Sequence, residues 1–332
     1  MKFLQTKNPN HTLMVLGFVM IALMLLFVLF HSDFDTQYII PKRLLRLLAI
    51  IIGSGCIALS VIIFQTLTTN KILTPAVMGY ESIYILWQAL LLLVFGTPML
   101  SVLHDLHPLL INLGSLLNFV SSLLIMLLYA WVLHYRILPF CRQNIYLLLL
   151  FGIVTSIVLS TLSQFLQLLI NPAEFSIFQS MTYTSFNRAD VFMLSVGAIG
   201  LLAVAVYIRS QILILDVLAL GKDWAMSLGV DYEFYVRRLL VCIAILVAIS
   251  TSLIGLTAFM GIFIANIAYV LSGTSKHKYT LPIATLVAMG IFIIAQLLVE
   301  HIFNYKTTVS ILVNLLCGSY FLSWILYTRR EL

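Results

Sequence analysis

Charge is what this sequence has least of. Its 332 residues include 18 Lys/Arg and 12 Asp/Glu, 9% of the chain, where a soluble domain carries about a quarter. So few charged side chains cannot cover a soluble surface. Hydrophobic residues make up 62%, against roughly 45–50% in soluble domains, so the chain reads as a polytopic membrane protein. Cysteine is sparse too: Cys56, Cys141, Cys242 and Cys317 lie in or beside apolar runs, with no CxxC pair. Neither a disulfide framework nor a zinc site is suggested. No GxxxxGK[ST], HExxH or GxSxG occurs, and GKDW at 221–224 lacks the upstream glycine and the Ser/Thr of a phosphate loop. No cofactor is implied. The net charge of +6 does not indicate nucleic acid, because the positives are scattered between apolar runs instead of clustered on a soluble face.

What is present is a series of hydrophobic runs. About 20 apolar residues span the hydrocarbon as a helix. Candidate spans are 13–30, 44–66, 76–95, 109–133, 145–170, 190–208, 239–258, 259–271, 281–300 and 308–328. The first run lacks a small-residue cleavage site and is followed by Asp33-Phe34-Asp35, so it reads as a retained span. The stretch 239–271 is too long for one crossing, and Gly255 and Gly261 offer breaks. Charge decides its reading. With ten spans and a cytoplasmic N-terminus, 13 of the 18 Lys/Arg fall inside and 5 outside. With 239–271 as a single span the division is 10 to 8 of the same 18. Ten spans satisfy the positive-inside rule, and both termini are expected in the cytoplasm. The expected architecture is therefore an all-α integral membrane fold, one transmembrane domain over 1–332, whose longest inner polar stretch is 209–238.

Several polar groups stand out against this background. Arg43 and Arg46 lie on the outer side, where arginine is disfavoured, and at i and i+3 they share a helix face. Ser156, Ser160, Ser163 and Gln167, spaced four, three and four, form a stripe on one face of the fifth span. Such a stripe either lines a watery path or joins packed helices. Glu81 falls at the cytoplasmic start of the third span, and Asp190 and Glu300 near the outer surface. The span centres then hold no carboxylate, which leaves a proton relay without side chains and argues against a proton-coupled carrier. His104, Asp105 and His107 read as a solvated outer loop. No converging nucleophile, base or metal ligands suggest an intramembrane enzyme.

Three stretches carry a resemblance. Residues 41–82, PKRLLRLLAIIIGSGCIALSVIIFQTLTTNKILTPAVMGYES, resemble the signature R-L-P-R, small-residue helix, Q-x-x-x-x-N-P-L-A-x-P-x-x-L-G. Arg43, Arg46, Gln65, Asn70, Pro75 and Gly79 match, whereas Leu45 and Lys71 replace prolines. Residues 218–230, LALGKDWAMSLGV, match L-x-L-G-x-x-x-A-x-x-L-G through Leu218, Leu220, Gly221, Ala225, Leu228 and Gly229. Residues 255–282 resemble G-P-I-x-F-V-G-L-x-x-P-H with a following H-R-x-x-L-P, Ala265-Asn266 standing in place of Pro-His. These are the motifs of the iron-siderophore and cobalamin ABC importer permeases, and the resemblance covers nearly the whole chain. With SFNRAD at 185–190 it is most similar to the ferric-siderophore subgroup.

The resemblance implies a type II ABC importer permease working with a separate ATP-binding cassette subunit, an extracytoplasmic substrate-binding protein and a second permease, either another copy or a sister chain. The cargo it implies is a ferric siderophore, with cobalamin, haem or another metal chelate as alternatives. It assigns Leu218, Leu220, Gly221, Ala225, Leu228 and Gly229 to coupling with the ATPase, on a short amphipathic helix expected over 216–229. Arg43 and Arg46 would dock the binding protein, the alternative being lipid anchoring. A further family arginine late in the ninth span falls near Glu300. The family's use of the fifth span at the dimer axis favours path lining for Ser156, Ser160, Ser163 and Gln167.

Overall fold

The computed structural model describes residues 9–30, 39–106, 108–140, 144–188, 190–257 and 260–329. Among them the secondary structure is entirely helical. The elements are α1 (Pro9–Leu29), α2 (Ile39–Thr68), α3 (Tyr80–Leu106), α4 (Pro108–Val132), α5 (Leu138–Phe140), α6 (Ile145–Leu168), α7 (Pro172–Thr182), α8 (Val191–Ser210), α9 (Ile212–Leu218), α10 (Lys222–Ser227), α11 (Tyr232–Ile254), α12 (Met260–Ser272), α13 (His277–Leu297) and α14 (Val309–Arg329). A π-helical turn, Leu133–Ile137, joins α4 to α5, and another, Leu298–Ile302, extends α13. Seven helical stretches are long and apolar enough to cross a membrane; Tyr80–Val94, Met260–Ser272 and Val309–Tyr320 are shorter apolar helices. Cys56, Cys242 and Cys317 are buried and free, while Cys141 and His107, and the side chains of His104 and Asp105, lie outside what is described.

One helix organises the bundle. In α2 the most apolar window is 83% buried, against 17% in α1 and 22% in α6. Its main neighbours are α11 and α13. Small residues allow the close approach, as they do between helices in lipid. A methyl group on Gly53 would come within 2.6 Å of Ile254 of α11, and one on Gly55 within 3.0 Å of Leu201 of α8. Several hydroxyls of α2 are satisfied locally: Ser60 donates to the Ile57 carbonyl, Thr66 to Ile62 and Thr68 to Phe64.

Two contacts fix the parity of the crossings. Asp216, on α9, meets His277 at the start of α13. Glu300, past the end of α13, meets Arg43 at the start of α2. Since α9 and the α12–α13 link share one end, α11 and α12 are two passes, as the charge distribution required. The return is a short one: α12 has 13 residues, about 20 Å of helix.

The break between α11 and α12 lies inside the bundle. Its backbone is satisfied by the segment after α7, which the sequence placed in an outer loop. Ser185 N–H donates to the Ile254 carbonyl at 2.9 Å, Leu256 N–H to Thr182 at 3.3 Å, and the Thr184 hydroxyl to Leu256 at 2.5 Å. Non-helical backbone at such depth is tolerated only when protein supplies these partners.

Glu81 also sits deeper than its sequence position suggests. The 3₁₀ turn Pro75–Met78 precedes α3 and packs on α6, where a methyl on Gly152 would come within 2.9 Å of Met78 Cα. Glu81 lines a cavity with Ser60, eight residues or about 12 Å of helix back from the end of α2. The expectation that the span centres hold no carboxylate is therefore corrected: the turn before α3 rises into the bundle and carries Glu81 with it.

Candidate functional site

Residues 209–238 were expected to form one amphipathic helix over 216–229. They form two, α9 and α10, with Gly221 between them at φ +98°. A second reversal follows α10 at Gly229, φ +80°. Left-handed backbone of this kind suits glycine and breaks the run where a single helix would continue. Asp231 then caps α11, accepting the Phe234 N–H at 3.1 Å.

The six matched residues divide by direction. Leu218 and Ala225 are buried against the bundle together with Leu215, whereas Leu220 and Leu228 are exposed. Trp224 and Met226, which the motif does not include, are exposed beside them, Trp224 to 68%. Four large apolar side chains thus stand open on a short turn–helix–turn. This apolar surface is suited to seating in a partner's groove. The signal for Trp224 and Met226 was available: they are the apolar members of KDWAMS, between polar neighbours.

This unit is tied to the bundle by a polar relay not anticipated from sequence. Asp216 Oδ1 accepts from the His277 backbone N–H at 2.8 Å and lies 2.6 Å from His277 Nδ1. His277 Nε2 lies 2.7 Å from the Thr66 hydroxyl. These contacts join α9 to the start of α13 and to the end of the central helix α2.

At the opposite end Arg43 and Arg46 do not share a fate. Arg43 is 5% exposed. It donates to the Phe27 and Val28 carbonyls at 3.2 and 3.4 Å, to the Phe30 carbonyl, and to Glu300 Oε1 at 3.2 Å. It therefore caps the open carbonyls at the end of α1 and is not displayed for docking. Arg46 is more open: it faces Glu300 Oε2 at 3.6 Å and donates to the Tyr305 hydroxyl at 3.2 Å. Burial raises the Tyr305 pKa above its ordinary value, opposed by the Arg46 charge. Glu300 reaches both arginines from the π-helical turn Leu298–Ile302, whose extra residue shifts side-chain direction relative to regular α-helix.

The stripe on α6 faces the protein. Ser82 of α3 lies 2.8 Å from the Ser156 hydroxyl and accepts from Ser160 at 3.0 Å. Ser163 is 1% exposed and accepts from Gln167 at 3.0 Å. Hydroxyls bonded across to a neighbouring helix act as packing contacts, so the stripe expected to line a path faces α3 within this chain. The exposed face of α6 is apolar instead, with Val154, Ile157, Val158, Leu162 and Phe165.

Fold and site together define a multi-pass membrane protein with an exposed apolar turn–helix–turn at one end of its bundle. The comparisons place it within a known group. The family model of the FecCD transport family matches residues 5–328, and the chain belongs to that family. It is 35% identical over 325 residues to the petrobactin import system permease protein YclO of Bacillus subtilis strain 168, covering 98% of this chain and 99% of that one. It is 34% identical over 293 residues to the corresponding protein FatC of Bacillus anthracis, covering 88% and 79%. An inward-facing metal-chelate type ABC transporter has the same fold, with a TM-score of 0.81, 18% identity and coverage of 96% and 99%.

Proposed function

We propose that this chain is the permease subunit of an ABC importer for a ferric siderophore of the petrobactin class. The observation that carries this reading is the 35% identity to a petrobactin permease along 98% of the chain. Cobalamin, haem and other chelates are the alternatives the same family offers.

In this reading a separate ATPase subunit supplies the energy, because the chain has no phosphate loop. Leu220, Trp224, Met226 and Leu228 seat in its groove, Leu218 and Ala225 anchor the unit, and Gly221 and Gly229 shape it. The Asp216–His277–Thr66 relay passes its movement to α13 and α2. Arg46 is the arginine placed to meet acidic groups of a binding protein, while Arg43 holds the surface in shape. A second permease covers one of the exposed apolar faces, α6 being the one that the family resemblance favours.

The test is uptake in proteoliposomes holding this chain, its second permease, the ATPase and the binding protein. Radioactive iron delivered as ferric petrobactin should accumulate with ATP inside, and an equal amount of labelled cobalamin should not. Cobalamin uptake without iron uptake would overturn the proposed cargo.

A further inference from the structure

The break between α11 and α12 borders a small cavity whose largely apolar lining carries the polar side chains of Ser60, Thr74, Glu81, Ser250, Thr251 and Thr257. It has room for about one water-sized guest. No Lys, Arg or His is among its lining residues. The only hydrogen bond described for the Glu81 carboxylate is from the Thr257 N–H, at a long 3.4 Å.

The lining is rich in acceptors. Ser60 and Ser250 send their hydroxyl hydrogens to the Ile57 and Val247 carbonyls at 2.9 and 3.0 Å. With those hydrogens engaged, the two oxygens have lone pairs to offer a guest and no hydrogen. They cannot donate to the carboxylate beside them. Glu81 stands in the first turn of α3, where the positive end of the helix favours an ionised carboxylate. Ser250 and Thr251 lie in the last turns of α11, at the negative end of that helix. An ionised carboxylate in an apolar bundle is strongly disfavoured unless a cation, a proton or donating hydroxyls compensate it.

We propose that this cavity binds one small monovalent cation, with Glu81 as its charged ligand and the oxygens of Ser60, Ser250 and Thr251 as neutral ligands. Oxygen-only ligands suit a hard cation, and a single carboxylate balances one positive charge but not two. Sodium fits a void of about one water. Broken helices that present oxygen atoms beside their ends are a recurrent way of holding it inside membranes. The ion would join α2, α3 and α11 at the point where α11 is interrupted, so its occupancy would stabilise one arrangement of these helices.

Thermal unfolding of the full chain in detergent tests this at constant pH and ionic strength, with NaCl replaced stepwise by choline chloride. The midpoint should rise saturably with Na⁺ in the wild type, and the response should be lost in Glu81→Gln. Thr251→Val and Ser250→Ala should each weaken the apparent Na⁺ affinity about tenfold; they carry the test if Glu81→Gln fails to fold. Equal midpoints in NaCl and choline chloride, or unchanged Na⁺ affinity in both hydroxyl variants, overturn the proposal. So does an infrared band of a protonated carboxyl that disappears in Glu81→Gln while Na⁺ has no effect, since a proton would then neutralise Glu81.

Discussion

Arg43 and Arg46 are one helical turn apart, yet the first supports structure and the second faces outward. Replacing Glu300 by Ala leaves Arg43 buried with its charge uncompensated, which costs about 3 kcal/mol or more. The thermal midpoint of Glu300→Ala in detergent should drop well below that of the wild type, and the doubly exchanged Arg43→Met, Glu300→Leu should regain much of the loss. Arg46→Glu should fold normally and weaken association with the binding protein at low salt. That defect should shrink as salt rises, because rim charges are screened; identical wild-type and variant affinities at low salt would return Arg46 to the role of lipid anchor. Sequence spacing rightly put both arginines on one side of α2. It could not show that the end of α1 converges on Arg43 alone while Glu300 of the π-helical turn after α13 reaches both. Those contacts join residues 13 to 257 positions apart, and helical periodicity does not extend across loops.

The elements around the cytoplasmic turn show which features a sequence discloses and which it hides. Gly221 and Gly229 were singled out as motif positions, and both hold positive φ. The apolar period over 216–229 nonetheless suggested a single helix, because it does not register how completely Gly221 reverses the chain. No heavy atom lies within 4 Å of where a methyl on Gly229 would stand, so substitution there strains the backbone without a clash. Left-handed geometry in a β-branched residue costs on the order of 1–2 kcal/mol, small beside the stability of a packed bundle. Gly229→Val should therefore insert and fold at wild-type levels, while uptake falls severalfold relative to ATP hydrolysis. Wild-type uptake at equal expression would remove Gly229 from the coupling unit. The serine stripe was a pattern legible in full and ambiguous in meaning: period four, three, four says which side chains share a face, not what that face meets. Ser82, one residue beyond the recognisable segment's Glu81, was the missing partner.

At the scale of the whole molecule, the least-buried spanning helices mark where lipid or a second permease must lie. On α6 single cysteines at 158 and 162, in a background without the native cysteines, should cross-link to the neighbouring permease or react with a membrane-soluble thiol reagent. A cysteine at 163, facing inward, should do neither at a comparable rate. Equal reactivity around the helix would mean that α6 does not hold this orientation in the membrane. The number of crossings and their parity were readable from hydrophobicity and charge, since both follow from the membrane as a solvent. The burial order of the helices was not, because every span is apolar all round and hydropathy does not distinguish lipid from protein.

That burial order has a consequence for biosynthesis. The helix at the centre, α2, leaves the ribosome second, but its main packing partners α11 and α13 are completed only when residues 254 and 297 have been made. At about 5–20 residues per second the wait for α13 is roughly ten to forty-five seconds. Until residue 254 is made Gly53 lacks Ile254, and until residue 277 is made the Thr66 hydroxyl lacks His277. The molecule is thus assembled around a core that must be kept vacant on two sides until late in synthesis. Truncation anywhere before α13 should therefore yield a chain that inserts but is cleared by membrane proteases.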